Sequence, residues 1–191
     1  MKLDTDNIIY NSKRFAENLV AQISKISIVP FQDIVFKSVD FRNKEILKPH
    51  LIKIKKNTHP LIYIIQIQSR KDLKLLLQNF EEYYAANKAK IKNIDRVNLS
   101  RYNRTQSHVL YVGSSTTDFT TRIKNHLGTE GTRMYSLHLC KWDKSLEYNL
   151  KISTFEVISG TNETSERFIV EILEQQLWDT LKPVFGKRSG L

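Results

Sequence analysis

Residues 61–68 read LIYIIQIQ, follow Pro60 and run into Ser69-Arg70. A run this short and this rich in β-branched residues predicts a strand, mostly buried. Directly after it, Leu73, Leu76, Leu77, Phe80 and Tyr84 recur at helical spacing among charged residues, which predicts a helix over 71–87. A buried strand that feeds an amphipathic helix calls for a sheet with helices packed on it, so a mixed architecture is expected.

The remaining segments fit that expectation. After Asp4 and Thr5, the apolar positions Ile8, Ile9, Phe15, Leu19, Val20 and Ile23 predict an amphipathic helix over 4–24. Residues 33–56 alternate short apolar runs with charges around Pro49, predicting irregular structure with one strand near 33–39. The tract up to Ser107 is basic, rich in asparagine and without periodicity; HVLYVG then predicts a second strand, closed by Gly113 and the turn-prone SSTTD. A short helix over 119–127 stops at Gly128. RMYSLHL and KISTFEVI predict two more strands around the loop bearing Trp142. Tyr135, Leu137 and Leu139 are assigned to the core and His138 to a structural role on the opposite face; Trp142 and Trp178 are assigned to packing. The last helix opens at a capping cluster, Thr161-Asn162, carries the ridge Leu173, Leu177 and Leu181, and is ended by Pro183.

At 191 residues the chain has room for one sizeable domain with a small appendage. No apolar run approaches the roughly 20 residues of a membrane span, and the N-terminal stretch lacks the apolar segment of a secretory signal. Cys140 is the only cysteine, which excludes an intrachain disulfide and a cysteine-rich zinc cluster, and a reducing cytoplasm is the expected location. Thirty basic residues against twenty acidic ones give a net charge of +10, a footprint that suits nucleic acid and equally an anionic membrane surface. The distribution narrows the choice. Lys88, Lys90, Lys92, Arg96, Arg101 and Arg104 face one acid, Asp95, and residues 42–56 carry six basic residues against Glu45 alone. Lys187 and Arg188 follow the last helix and are further candidates for contact with a DNA backbone.

Strand tyrosines, a helical Arg/His pair and a helical glutamate each have plain structural uses, so their order along the chain is what carries information. Tyr63 lies in the first strand, Tyr111-Val112-Gly113 in the second, Arg122 and His126 share a face of the next helix, and Glu174 lies on the last helix with Leu177 three on and Pro183 nine on. This series resembles the GIY-YIG nuclease superfamily, and its restriction-type members in particular. Leu61-Ile62-Tyr63 stands for the first tripeptide and Tyr111-Val112-Gly113 for the second, with Leu61 in place of a glycine. The 47 residues 64–110 between the tyrosines imply an insertion, placed at 69–107, and Gly186 stands where the family has an asparagine. The resemblance implies a small, mostly antiparallel central sheet flanked by helices over 60–191, with residues 1–59 as an N-terminal extension, a helix followed by an irregular basic segment.

The activity that the resemblance implies is metal-dependent hydrolysis of DNA phosphodiesters. Glu174 is the expected ligand for one Mg²⁺, with Mn²⁺ as a substitute, and Glu171 one turn earlier is the alternative. Arg122 would pair with the scissile phosphate through its planar fork. Tyr111, or next to it Tyr63, would be the general base if a nearby cation lowers its pKa, with His126 as proton relay or phosphate ligand. A stand-alone restriction or defence endonuclease is expected first and a mobile-element nuclease second. The opposing expectation is a catalytically silent nucleic-acid-binding protein that keeps the fold. A single site facing two strands suits a homodimer.

Overall fold

The computed structural model describes residues 3–92, 94–160 and 167–188, and these form an α+β fold around one antiparallel sheet. Its strands are β1 (Ile26–Lys37), β2 (Leu61–Ile67), β3 (Val109–Ser115) and β4 (Asn149–Ser159), in the spatial order β1-β4-β2-β3. Six α-helices among the described residues accompany them: α1 (Thr5–Ile23), α2 (Ser38–Phe41), α3 (Lys44–Ile52), α4 (Arg70–Lys88), α5 (Phe119–Leu127) and α6 (Arg167–Leu181).

The period-2 geometry of β2 divides its side chains between two apolar layers. Leu61, Tyr63, Ile65 and Ile67 enter the main core with Leu73, Leu76 and Phe80 of α4 and Phe119, Ile123 and Leu127 of α5. Ile62 points the other way, to a smaller cluster with Val157 and with Val170, Leu173 and Leu177 of α6. This two-sided burial explains why LIYIIQI is a nearly continuous apolar run. In the main core, Phe80 meets Phe185 and Trp142 at centroid distances of 4.6 and 5.0 Å. The buried carboxylate of Asp143 is held by Arg42 at 2.6 Å and by Tyr148 Oη at 3.1 Å, which joins the end of α2 to the entry into β4.

Several sequence expectations are corrected. The strand near 33–39 begins earlier, at Ile26, pairs with β4 along most of its length and gives way to α2 at Ser38. Although it lies before residue 60, β1 is hydrogen-bonded into the same sheet. Residues 44–52, expected to be irregular, are helical because the Asn43 side chain caps the N–H groups of Glu45 and Ile46. RMYSLHL is not a strand: a single parallel bridge joins Ser136 to Leu99, and His138 turns into the left-handed region at φ 51° before a 3₁₀ turn, Leu139–Lys141. Leu137 and Leu139 are buried as expected, whereas Tyr135 is 65% exposed. The capping cluster Thr161-Asn162 lies outside the described residues.

The aperiodic tract before β3 is ordered by its asparagines. Buried Asn87, near the end of α4, donates to the Val97 carbonyl at 2.8 Å and accepts from the Val97 N–H at 2.9 Å, imitating a strand partner. Asn98 and Ser100 exchange backbone bonds with Thr132 and Ser136, and the Asn103 side chain donates to the carbonyls of Pro183 and Gly186. Residues 97–103 are thus tied between the 132–136 segment and the C-terminal tail. Asn87→Ala leaves the N–H of buried Val97 unpaired and its C=O with only the Leu99 N–H, and a loss of about 1–3 kcal/mol in unfolding free energy is expected by urea titration.

Candidate active site

Glycine and tyrosine face each other across the β2–β3 ladder. Tyr63 lies directly opposite Gly113, and Tyr111, two residues before that glycine, shares its face. The two rings stack at 6.2 Å with planes 19° apart. A Cβ on Gly113 would fall 2.7 Å from both Tyr111 Cε1 and Tyr63 Oη, so a side chain is excluded there by the tyrosines themselves. On the far side of Tyr111, Gly186 takes a left-handed φ of 109°, and a Cβ there would approach Tyr111 Cε2 to 3.2 Å. Glycine therefore flanks the ring on both sides.

A cleft of about 430 Å³ opens beside these rings. Helix α5 packs on the main-core face of the sheet and α6 on the other, where it contacts β3, the edge strand. The cleft receives Arg122 from α5, Arg167, Glu171 and Glu174 from α6, and Tyr63, Tyr111, Ser114, Thr116 and Thr117 from the sheet and the loop after it. Tyr63, Tyr111, Arg122 and Glu174 are thereby brought to one site.

His126 is buried behind the tyrosines, its Nε2 3.0 Å from Tyr63 Oη. Its Nδ1 accepts from the Leu137 N–H at 3.4 Å, which places the ring proton on Nε2. Nε2–H therefore donates to Tyr63 Oη, and the Tyr63 proton is directed elsewhere. Burial, aided by the charges of His138 and Arg122, pulls the His126 pKa down to about 3. The expectation that His126 titrates near neutrality is corrected: the ring is neutral through the physiological range.

The tyrosines move in the opposite direction. Burial, with a smaller contribution from Glu174, pushes Tyr111 up to about 12. Tyr63 rises further, from burial and then from the neighbouring Tyr111. Arg122 lowers both without offsetting burial, so both are phenols at neutral pH. Glu174 also lies above the usual carboxylate range, raised first by burial and then by Glu171, while a hydrogen bond from Ser114 and the charge of Arg122 work against the rise.

The two α6 carboxylates are not equivalent. Glu171 is paired with Arg167 at 2.7 Å, whereas Glu174 has no ion pair among the described residues. No cluster of three or more His, Cys, Asp or Glu occurs among the described residues. What the cleft provides is one half-buried, only partly compensated carboxylate beside a hydroxyl. This suits a hard cation that keeps most of its waters and completes its shell from a phosphate.

The basic residues fall into separate places. Lys92, Arg96, Arg101 and Lys187 line a second groove, of about 640 Å³, which shares Tyr111 with the cleft. Lys88 ends α4, Lys90 sits over the Tyr83 ring, and Arg104 lines a different depression with Tyr84 and Tyr102. Arg188 forks onto Asp179 through two 2.7 Å bonds. Sequence reasoning missed Ser114 and Arg167. Ser114 follows Gly113 in a turn-prone stretch and offered no signal; Arg167 is recognisable only as the partner of Glu171 four residues on. The chain matches no family model, no curated protein and no solved structure.

Two outcomes follow from this electrostatics. Glu174→Gln removes a carboxylate whose ionised form is disfavoured in the fold. The variant is expected to unfold at a higher temperature than the parent at pH 7, with the gain fading as pH falls through the raised folded-state value and gone below the unfolded carboxylate value near 4.5. For His126 the sign is reversed. The unfolded ring takes up a proton below about 6.5 and the folded ring only near 3, so stability falls with acidification across that interval. Replacing His126 with Gln should flatten that part of the profile in chemical denaturation at stepped pH.

Proposed function

We propose that the chain is a metal-dependent endonuclease that hydrolyses DNA phosphodiester bonds, in keeping with its resemblance to the GIY-YIG nucleases. The observation that carries this reading is Glu174: a carboxylate kept half-buried and without an ion pair among the described residues, in a cleft that also holds Arg122 and two tyrosine hydroxyl groups. A fold retains such a group at a cost to stability when a cation and an anionic substrate compensate it.

Each side chain has a task. Glu174, with Ser114 beside it, would hold Mg²⁺ or Mn²⁺, which when bound supplies charge neutralisation at the phosphoryl oxygens. The exposed guanidinium of Arg122 binds the scissile phosphate in a planar fork that lysine cannot reproduce. Tyr63, whose oxygen already accepts from His126, has its own proton free to donate into the cleft and orient a phosphate oxygen or the attacking water. Tyr111 is the remaining group able to take a proton from that water, and with a pKa of about 12 its basic fraction grows with every step towards alkaline pH. His126 fixes Tyr63 and does not relay protons near neutrality. One cleft per chain cuts one strand at a time, so a clean double-strand cut calls for two copies.

The high tyrosine pKa values favour one competing reading, a silent nucleic-acid-binding protein in which neither phenol is ever deprotonated. Plasmid nicking separates the two. With Mg²⁺ the full chain is expected to nick or linearise DNA, EDTA to stop it, and Glu174→Gln and Arg122→Lys to lower the rate at least about a hundredfold while DNA is still bound. The rate should climb between pH 7 and 9 in a manner that Tyr111→Phe removes. Cleavage by Glu174→Gln at the parent rate would sink the assignment.

A further inference from the structure

The second groove differs from the cleft beside it in having cations without acids. Lys92, Arg96, Arg101 and Lys187 line it, and no Asp or Glu does among the described residues. None of the four forms an ion pair among the described residues. In the cleft, by contrast, Arg122 and Arg167 are accompanied by Glu171 and Glu174. Two exposed aromatic side chains join the cations: Tyr135, 65% accessible, and Tyr84, 40% accessible. An accessible tyrosine at this position is not needed by the core, where Leu137 and Leu139 do the packing.

The wall bearing Arg96 and Arg101 is held in place. Asn87 pins Val97, the Ser100 N–H bonds to Ser136, and the Gly186 N–H bonds to the Arg101 carbonyl. Cations on an ordered wall lose less freedom when they meet an anion than cations on a loose tail. Tyr111 belongs to both depressions, so a polymer lying in the cleft would continue past its ring into the groove.

We infer that this groove holds an unpaired stretch of the nucleic-acid strand next to the reacting phosphate, with its backbone on Lys92, Arg96, Arg101 and Lys187 and a base stacked on Tyr135. A base face can meet a tyrosine ring only when that base has left the duplex stack, which is why an unpaired strand is the occupant and an intact duplex is not. Cations tracking a backbone together with sequence-tolerant stacking platforms are the two ingredients of single-strand binding. That the occupant is DNA rests on the nuclease reading of the cleft; the groove's preference for an unpaired strand does not.

The test uses the full chain carrying Glu174→Gln, in EDTA, and fluorescence anisotropy with an oligo-dT of about 12 nucleotides and a duplex of the same length, a span within the reach of one single-strand site. Adding Tyr135→Ala is expected to weaken oligo-dT binding about tenfold and duplex binding less than about twofold. Adding Arg96→Ala and Arg101→Ala together should lower the slope of log affinity against log salt by about 1.4, or about 0.7 for each phosphate of a single strand that is no longer neutralised. Tyr135 is solvent-facing and the bonds from residue 101 run through its backbone, so both variants should fold, and circular dichroism checks this. Oligo-dT that fails to bind, oligo-dT affinity within about twofold after Tyr135→Ala, or an equal loss on the duplex overturns the inference. Absence of Mg²⁺-dependent nicking by the unsubstituted chain would instead overturn the nuclease reading and leave the binding result standing.

Discussion

Two aromatic rings and one missing side chain organise the cleft. Tyr63 and Tyr111 come from neighbouring strands, and the space taken by the Tyr63 hydroxyl end and the Tyr111 ring edge is the space where a Cβ at position 113 would sit. Overpacking of that kind costs about 1–3 kcal/mol and forces rings off their rotamers, so the pair can stand only beside glycine. Once the rings are placed, much follows. Tyr63 Oη lies within hydrogen-bonding distance of His126 Nε2, whose other nitrogen is claimed by the Leu137 N–H, and α5 is positioned to bring Arg122 to the cleft. The tyrosines thus connect the sheet, α5 and the 132–139 segment.

The electrostatics of the cleft depend on the same burial. Removing these rings and Glu174 from water raises every proton affinity in the direction of the neutral form, and Arg122 counters this only in part. The described residues therefore leave Glu174 undercompensated and both phenols protonated. Arg42 and Asp143 show the contrasting solution, in which a buried carboxylate receives a guanidinium at 2.6 Å and a tyrosine hydroxyl besides. A chain that can satisfy Asp143 so fully has not failed to satisfy Glu174 by accident of composition. The difference lies in access: Asp143 is sealed in the core, whereas Glu174 opens onto a cleft that an external cation and anion can enter.

The parts of the fold governed by local periodicity could be read from the chain. β2, α4, β3 and α5 were legible because apolar spacing, an N-cap or a terminal glycine marks each, and Tyr63, Tyr111, Arg122 and Glu174 could be singled out from their order on those elements. What escaped depends on residues distant in sequence. Residues 133–139 carry a strand-like alternation, yet the bond from Trp142 Nε1 to the Leu137 carbonyl at 2.6 Å and the left-handed backbone of His138 bend them out of any sheet. The tract before β3 has no period because asparagine side chains, and not a repeating backbone ladder, hold it. The protonation of His126 was misjudged for a related reason: depth of burial is a property of the assembled core and leaves no mark at positions 122–126.

The edge of the sheet explains why cleft and groove adjoin. β3 is an edge strand, and an uncovered edge invites pairing with other chains. The C-terminal tail covers its first residues, with Val184 and Phe185 donating to the carbonyls of Val109 and Leu110, before Gly186 turns away to bond the Arg101 carbonyl. The turn at Gly186 occurs where Tyr111 begins, and its left-handed backbone is what lets the tail leave the strand against that ring. Beyond this point the cleft takes over the edge. The tail, Arg101 and Lys187 become a wall of the neighbouring groove, so the device that protects one half of an exposed strand also delimits the surface opened by the other half.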